Sequence, residues 1–288
     1  MNDRYKWERV NKRHPCTVCG RTDYDTYCVA LNFACCMRPE AEKGAIKRAG
    51  NGGWLHKLSD EPAKYVPTEK PEKPVTIDAQ AIWDNYRGHT SVSTRTTLAE
   101  LLGVDPMALV DLGCVNAWDH LAWAFPMRDA RASIIGFRLR NAEGDKWSVK
   151  GSKAGLFIPK SLYDPEIRAL PPIAGGKTLF CVEGPTSCAA MLTMGLQAIG
   201  RPSCLGQESM VNEFIKIRGF REVILVADAD PHDAGQRGAE KLQATLRVPS
   251  VLIMPPCKDA RELLKRAGPD AAGILQSIVR SQVWCNPK

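Results

Sequence analysis

The 288-residue sequence has no apolar run near the roughly 20 residues that a membrane-spanning helix needs. No membrane partner is therefore expected. Its first 20 residues are polar and charged, without the apolar stretch of a secretory signal. The expectation is a cytoplasmic protein, and in a reduced compartment cysteines seldom pair as disulfides. There is no internal repeat and no low-complexity tail, which argues against solenoids and disordered tails. What remains is an ordinary globular composition, 44% hydrophobic and 25% charged, long enough for about two domains.

Eleven cysteines are many for such a chain, and five of them lie between residues 16 and 36. With disulfides disfavoured, clustering of this kind points to a metal. Cys16-x₂-Cys19 has the spacing of a zinc knuckle. Cys28 and Cys36 are the preferred second pair, with Cys35 or His14 as possible replacements for one of them. Residues 1–58 lack apolar periodicity, so a structural Zn²⁺ would supply much of this module's folding energy. Residues 59–76 hold four prolines among charged side chains and read as a semi-rigid linker. Cys114, Cys181, Cys188, Cys204, Cys257 and Cys285 are scattered and read as structural.

From residue 77 to about 125, apolar residues recur at helical spacing in three short segments. Residues 134–140 (IIGFRLR) alternate apolar and basic positions as a half-exposed strand does, and KWSVKG starts its partner. The net charge is +7. Residues 131–160 concentrate it, with Arg138, Arg140, Lys146 and Lys150 among the cations, which favours a phosphate-rich partner. Trp147 suits either base stacking or a core. From residue 173, apolar β-branched runs (TLFCVEG, LQAIGR, EVILVADAD, SVLIMPP) alternate with helical segments 186–194, 208–218, 234–246 and 259–267. That rhythm predicts βαβ units and a parallel sheet. The expected fold class is thus α/β: a zinc ribbon (1–58), a linker, a basic α+β subdomain (77–172), a Rossmann-like parallel sheet flanked by helices (173–270), and a C-terminal tail (271–288).

Ligands of open parallel sheets bind beyond the carboxyl ends of the strands. Glu183 ends one predicted strand, and Asp228 and Asp230 end another, two residues apart and so on one face. Carboxylates held this close repel unless a cation neutralises them, and Mg²⁺ or Mn²⁺ suits oxygen ligands. The plainer alternative is that such an Asp caps the following helix.

The text VEGPTSCAAMLTMG, VADADPHDAGQRGAEKL and MPPCKDARELL resembles the TOPRIM domain of primases, topoisomerases and related nucleases. The segment ahead of it, ending in Gly-Leu-Phe, resembles the basic subdomain of bacterial-type primases, particularly those of phages and plasmids. The resemblance implies that Glu183, Asp228 and Asp230 hold magnesium and carry catalysis, with Asp233 and Asp259 as supporting acids. It implies that Arg138, Arg140, Lys146 and Lys150 line a groove for single-stranded DNA template and NTPs. The zinc module, with Lys43, Lys47 and Arg48, would touch the template. A replicative helicase would act in trans. Two departures stand out: Ser187 occupies a position that is acidic in many primases, and Pro231-His232 lengthens the spacer after the acidic pair. The expected activity is a DNA-directed RNA polymerase that makes primers. The rivals are a metal-dependent TOPRIM nuclease and a non-catalytic zinc-dependent DNA-binding accessory.

Overall fold

The computed structural model describes residues 7–23, 25–28, 32–49, 52–58, 75–164, 177–230 and 233–287, with only the backbone of Cys28. Most of the expected linker and the Pro231-His232 spacer lie outside the described residues. The chain divides into two units, 1–74 and 75–288.

The first unit is an antiparallel sheet of short strands. These are β1 (Glu8–Arg9), β2 (Thr26–Cys28), β3 (Phe33–Cys36), β4 (Lys47–Arg48) and β5 (Trp54–Lys57), in the order β1-β2-β3-β5-β4. Its core is small: Val10, Cys16, Cys36 and Ala41, with Val18, Tyr27 and Trp54 packed around them. So few buried side chains fall short of the ordering entropy of some fifty residues, so this unit needs a staple.

The second unit opens with three helices, α1 (Ala79–Gly88), α2 (Val92–Leu102) and α3 (Pro106–Asp111). Each starts as the sequence dictates. Asp78, Ser91 and Asp105 stand at the N-caps and accept amide hydrogen bonds from Ala81, Thr94 and Met107. An antiparallel sheet follows, β6 (Val115–Ala117), β7 (Ala122–Arg128), β8 (Ile134–Arg140) and β9 (Lys146–Ser148), paired in that order. β8 buries Phe137 and Leu139 and leaves Arg138 and Arg140 half-exposed, the alternation read from IIGFRLR. Trp147 packs against the Phe137 and Leu139 cluster, which is the core reading of that residue.

The parallel sheet comprises β10 (Thr178–Glu183), β11 (Ala198–Arg201), β12 (Glu222–Val226) and β13 (Ser250–Ile253), in the order β11-β10-β12-β13. Helices α4 (Gly184–Thr193), α5 (Glu208–Arg218), α6 (Ala234–Gln243) and α7 (Ala260–Ala267) alternate with the strands. Two apolar clusters cover the sheet, one containing Phe180, Val182, Ile224 and Ile253, the other Leu179, Cys181, Leu225 and Leu242. Burial on both faces explains why the strands read as continuous apolar runs. The expected strand through Asp230 ends instead at Val226, so the acidic pair sits on the loop beyond it. The stretch expected as a tail forms α8 (Ala271–Arg280), with Ala271 and Leu275 fully buried. Ile274, Leu275, Ile278 and Val279 recur at helical spacing and pack on the core, so a tail was the wrong expectation for this stretch.

The two sheets of this unit are joined by the Gly155-Leu156-Phe157 segment. Leu156 exchanges backbone hydrogen bonds with Arg128 (2.7 and 2.8 Å), and Phe157 with Gly200 (2.8 and 3.0 Å). Gly155 is required here, since a Cβ would lie 2.5 Å from the Arg128 carbonyl oxygen. The leading core cluster likewise combines Leu98, Leu109 and Phe125 with Phe180 and Val226. The basic strands therefore stand at a set distance from the parallel sheet.

Candidate catalytic and zinc sites

Glu183 ends β10 and is followed by Gly184 at φ 76°, a left-handed turn that glycine adopts at little cost. Pro185 then stands in the first turn of α4. This turn lifts the Glu183 side chain to the carboxyl edge of the sheet. The Asp228 loop is held by two backbone bonds, Ala227 N–H to Ile253 (3.0 Å) and Ala229 N–H to Lys258 (2.7 Å). Glu183 and Asp228 line one pocket together with Arg201, Cys204 and Gly235.

Gly235 does more than open a helix. A Cβ there would lie 2.5 Å from the Asp228 carbonyl oxygen. Gly235→Ala should push the Asp228 loop outward and cost about 1–3 kcal/mol of stability, the usual scale of overpacking. Urea unfolding would measure this, with weakened divalent-cation binding as the companion result.

The electrostatics are those of carboxylates short of counter-charge. Burial, then the neighbouring Glu183 and Asp259 charges, pushes Asp228 up to about 7. Burial raises Glu183 as well, opposed first by Arg201 and then by Lys146. Asp230 is placed differently. Its carboxylate accepts the Ala234 (3.1 Å) and Gly235 (2.7 Å) amides, so it caps α6. The plainer alternative, an Asp that caps the following helix, is thus realised at this acid. Asp259 caps α7, accepting the Glu262 amide (2.8 Å), and lies close enough to raise Asp228. Asp233 is exposed at φ 50° before α6 and makes no side-chain cap.

A carboxyl whose folded value is raised favours the folded state most when protonated. That stabilisation is full below the ordinary carboxylate range and is lost as pH rises through about 7. A divalent ion can replace the proton only once it has left. The melting-temperature increment from added Mn²⁺ should therefore be small near pH ~6 and large near pH ~8. Thermal melts with and without the ion check this, and an increment that shrinks as pH rises contradicts it.

On the basic side, Arg140 and Lys146 face each other across β8 and β9. Burial lowers Arg140, and the nearby Arg261 adds to it. Partial desolvation of the Lys146 ammonium lowers that group, followed by the charges of Arg140 and Arg261, while Glu183 and Asp228 pull the other way. Lys146 thus lies between the cations and the acids. Arg138 reaches across to donate to the Pro202 carbonyl (3.3 Å). Lys150 is exposed just past β9. Arg201, Lys258 and Arg261 escaped the sequence reading because the strand order that brings them here is not written in the sequence.

In the first unit, Cys16, Cys19, Asp25 and Cys36 each offer a donor atom, all within 4.8 Å of one another. Strand alternation puts Cys35 on the opposite face of β3 from Cys36, and His14 is exposed. The side chain of Cys28 lies outside the described residues. Asp25 was not anticipated. It is fully buried, accepts the Met37 amide (2.7 Å) and receives the Cys19 thiol (3.0 Å). Burial works to raise its carboxyl, but bonds from Cys16, Cys19 and Met37 outweigh it and hold the group below its usual range. Burial, then the Asp25 bond, pushes the Cys16 thiol up to about 11. Thiols held protonated around a buried carboxylate are the arrangement that a Zn²⁺ ion would discharge. The donor set can hold zinc.

No protein-family profile matches the sequence, and no curated protein does. Solved structures do. The zinc-binding and RNA polymerase domains of Aquifex aeolicus primase superpose with a TM-score of 0.54 at 16% identity, over 72% of this chain and 60% of that one. The fold is that of a bacterial primase core. A DnaG catalytic core gives a TM-score of 0.52 at 16% identity, covering 69% of this chain and 80% of that chain. The E. coli primase catalytic core also gives 0.52 at 16% identity, over 69% and 78%. The present chain spans about 60% of the Aquifex chain. The mixed α/β architecture and the N-terminal cysteine cluster accord with that primase fold. No helix among the described residues is long and apolar enough to cross a membrane.

Proposed function

We propose that this chain is a DNA primase that synthesises short RNA primers on single-stranded DNA in a TOPRIM-type active site. One observation carries the reading: Glu183 and Asp228 share a pocket at the carboxyl edge of the parallel sheet, with Lys146 of the basic strands close enough to feel both. Phosphate-binding cations and metal-binding acids are thus built into one unit.

A bound Mg²⁺ or Mn²⁺ would neutralise phosphate charge and make a 3′-hydroxyl more acidic. Glu183, Asp228 and, beside its capping role, Asp230 are the residues that would hold it. Asp259 adds charge behind Asp228. Arg138, Arg140 and Lys146, with Lys150 beyond them, bind template and triphosphate, guanidinium groups gripping phosphate at two points. The joined sheets fix the distance between these cations and the acids. Catalysis by such a site is mainly positioning and charge neutralisation. In the first unit Zn²⁺ would be held by Cys16, Cys19 and Cys36 with Asp25 or Cys28, and Lys43, Lys47 and Arg48 suit contact with template. A helicase acting in trans and a phage or plasmid origin complete the reading.

The test is incubation with single-stranded DNA, labelled NTPs and Mg²⁺. Short RNA products lost in Asp228→Ala support priming. Cleavage of the DNA without synthesis turns the assignment to a nuclease, and neither activity turns it to a DNA-binding accessory.

A further inference from the structure

Arg201 is an unusual residue to find where it is. It ends β11, directly opposite Glu183 in the parallel register, and only 5% of it is exposed. It lines the same pocket as Glu183 and Asp228. Its guanidinium donates to three backbone carbonyls, those of Cys204, Gly206 (3.4 Å) and Gly238 (3.5 Å). None of these acceptors carries a formal charge, and its buried Nε has no partner among the described residues. A buried arginine normally has an acid within ion-pair distance, because desolvating an uncompensated charge is costly. Here Glu183 of the acidic pocket and Glu208 at the start of α5 both feel its charge, and neither forms an ion pair with it among the described residues.

The carbonyls also immobilise the cation. Cys204 and Gly206 lie on the loop after β11, and Gly238 on α6, where a Cβ would strike the Cys204 carbonyl. Three acceptors from two elements hold the guanidinium in place. Ionised, Glu183, Asp228 and Asp230 carry three negative charges. A divalent ion supplies two positive ones. Lys258 is exposed, so it balances the buried acids less effectively, and Lys146, partly desolvated, is shared between these acids and the charges of Arg140 and Arg261.

We propose that Arg201 is a positioning residue that fills the place of a second cation, so that the pocket takes one divalent ion. This rests on the acidic pocket being a metal site, as proposed above. The guanidinium is the third positive charge, supplied by the chain itself and always present. It repels a second ion.

Electron paramagnetic resonance of Mn²⁺ added to the whole chain tests this, with wild type, Asp228→Ala, Arg201→Lys and Arg201→Gln. Wild type should bind one ion that Asp228→Ala loses. Arg201→Lys keeps the charge without the fork and should also bind one. Arg201→Gln should bind a second ion or tighten the first by roughly tenfold, the scale of removing a like charge from a partly desolvated site. A purely structural arginine would lower the melting temperature of both variants and leave the ion count unchanged, which overturns the proposal. Two Asp228-dependent ions in wild type overturn it as well, even if Arg201→Gln fails to fold. No Asp228-dependent ion at all removes the metal site itself, and the proposal with it.

Discussion

Asp228→Asn should abolish primer synthesis, by on the order of a thousandfold or more, while leaving the protein at least as stable as wild type. The two halves of this expectation have one cause. Burial and the charges of Glu183 and Asp259 push Asp228 up to about 7, so its negative charge is costly to the fold near neutral pH. An amide of the same shape carries no charge to desolvate. It also cannot replace a carboxylate facing a divalent ion. The melting temperature of Asp228→Asn should therefore equal or exceed that of wild type and stop responding to Mn²⁺. Primer yield and thermal melts on one preparation settle the matter. Undiminished synthesis would remove Asp228 from the active site. Lost synthesis with a collapsed melt would make its role structural.

Removal of zinc should unfold the first unit. Its buried apolar residues are few, and two of them, Cys16 and Cys36, are themselves metal donors. Structural zinc supplies apparent binding free energies of about 10–16 kcal/mol in small modules at neutral pH, more than such a core can replace. A strong chelator should expose residues 7–58 to protease and leave the sheets of the second unit protected. Cys36→Ser should behave like the chelated protein at all zinc concentrations. Cobalt substitution distinguishes the two candidates for the fourth donor. Three thiolates and an oxygen absorb differently from four thiolates, and Asp25→Asn changes the spectrum only if Asp25 is a ligand. Metal content below about one zinc per chain would end the assignment.

Much of the second unit is legible because its signals are local. Period-two alternation in residues 134–140 and apolar runs separated by helical segments need no distant partner to be read. The N-caps Asp78, Ser91 and Asp105 are equally local. Glu183 was legible through position, since Glu-Gly at a strand end carries its own geometry, whereas Asp228 and Asp230, expected on a strand, sit on the loop beyond it. The division of labour among them was not. Asp230 spends its oxygens on the amides of α6, which depends on the loop path and on Gly235 meeting Asp228. Arg201, Lys258 and Arg261 join the site through strand order and helix placement, both non-local. Asp25 was hidden for a chemical reason: a search for cysteines and histidines does not look for an oxygen donor in a turn. The final helix, expected as a tail, was legible in the helical spacing of Ile274, Leu275, Ile278 and Val279.

The Gly155-Leu156-Phe157 splice also bears on how the chain is assembled during synthesis. The antiparallel strands β6–β9 are contiguous and can pair as soon as they leave the ribosome. Phe157 must wait for its edge partner, Gly200, and β10 needs β12 on its other flank. Until then the newborn basic half carries an unpaired strand edge and its cations without the acids that later face them. For that interval its positive charge is uncompensated, and only arrival of the last strands brings the acids against it.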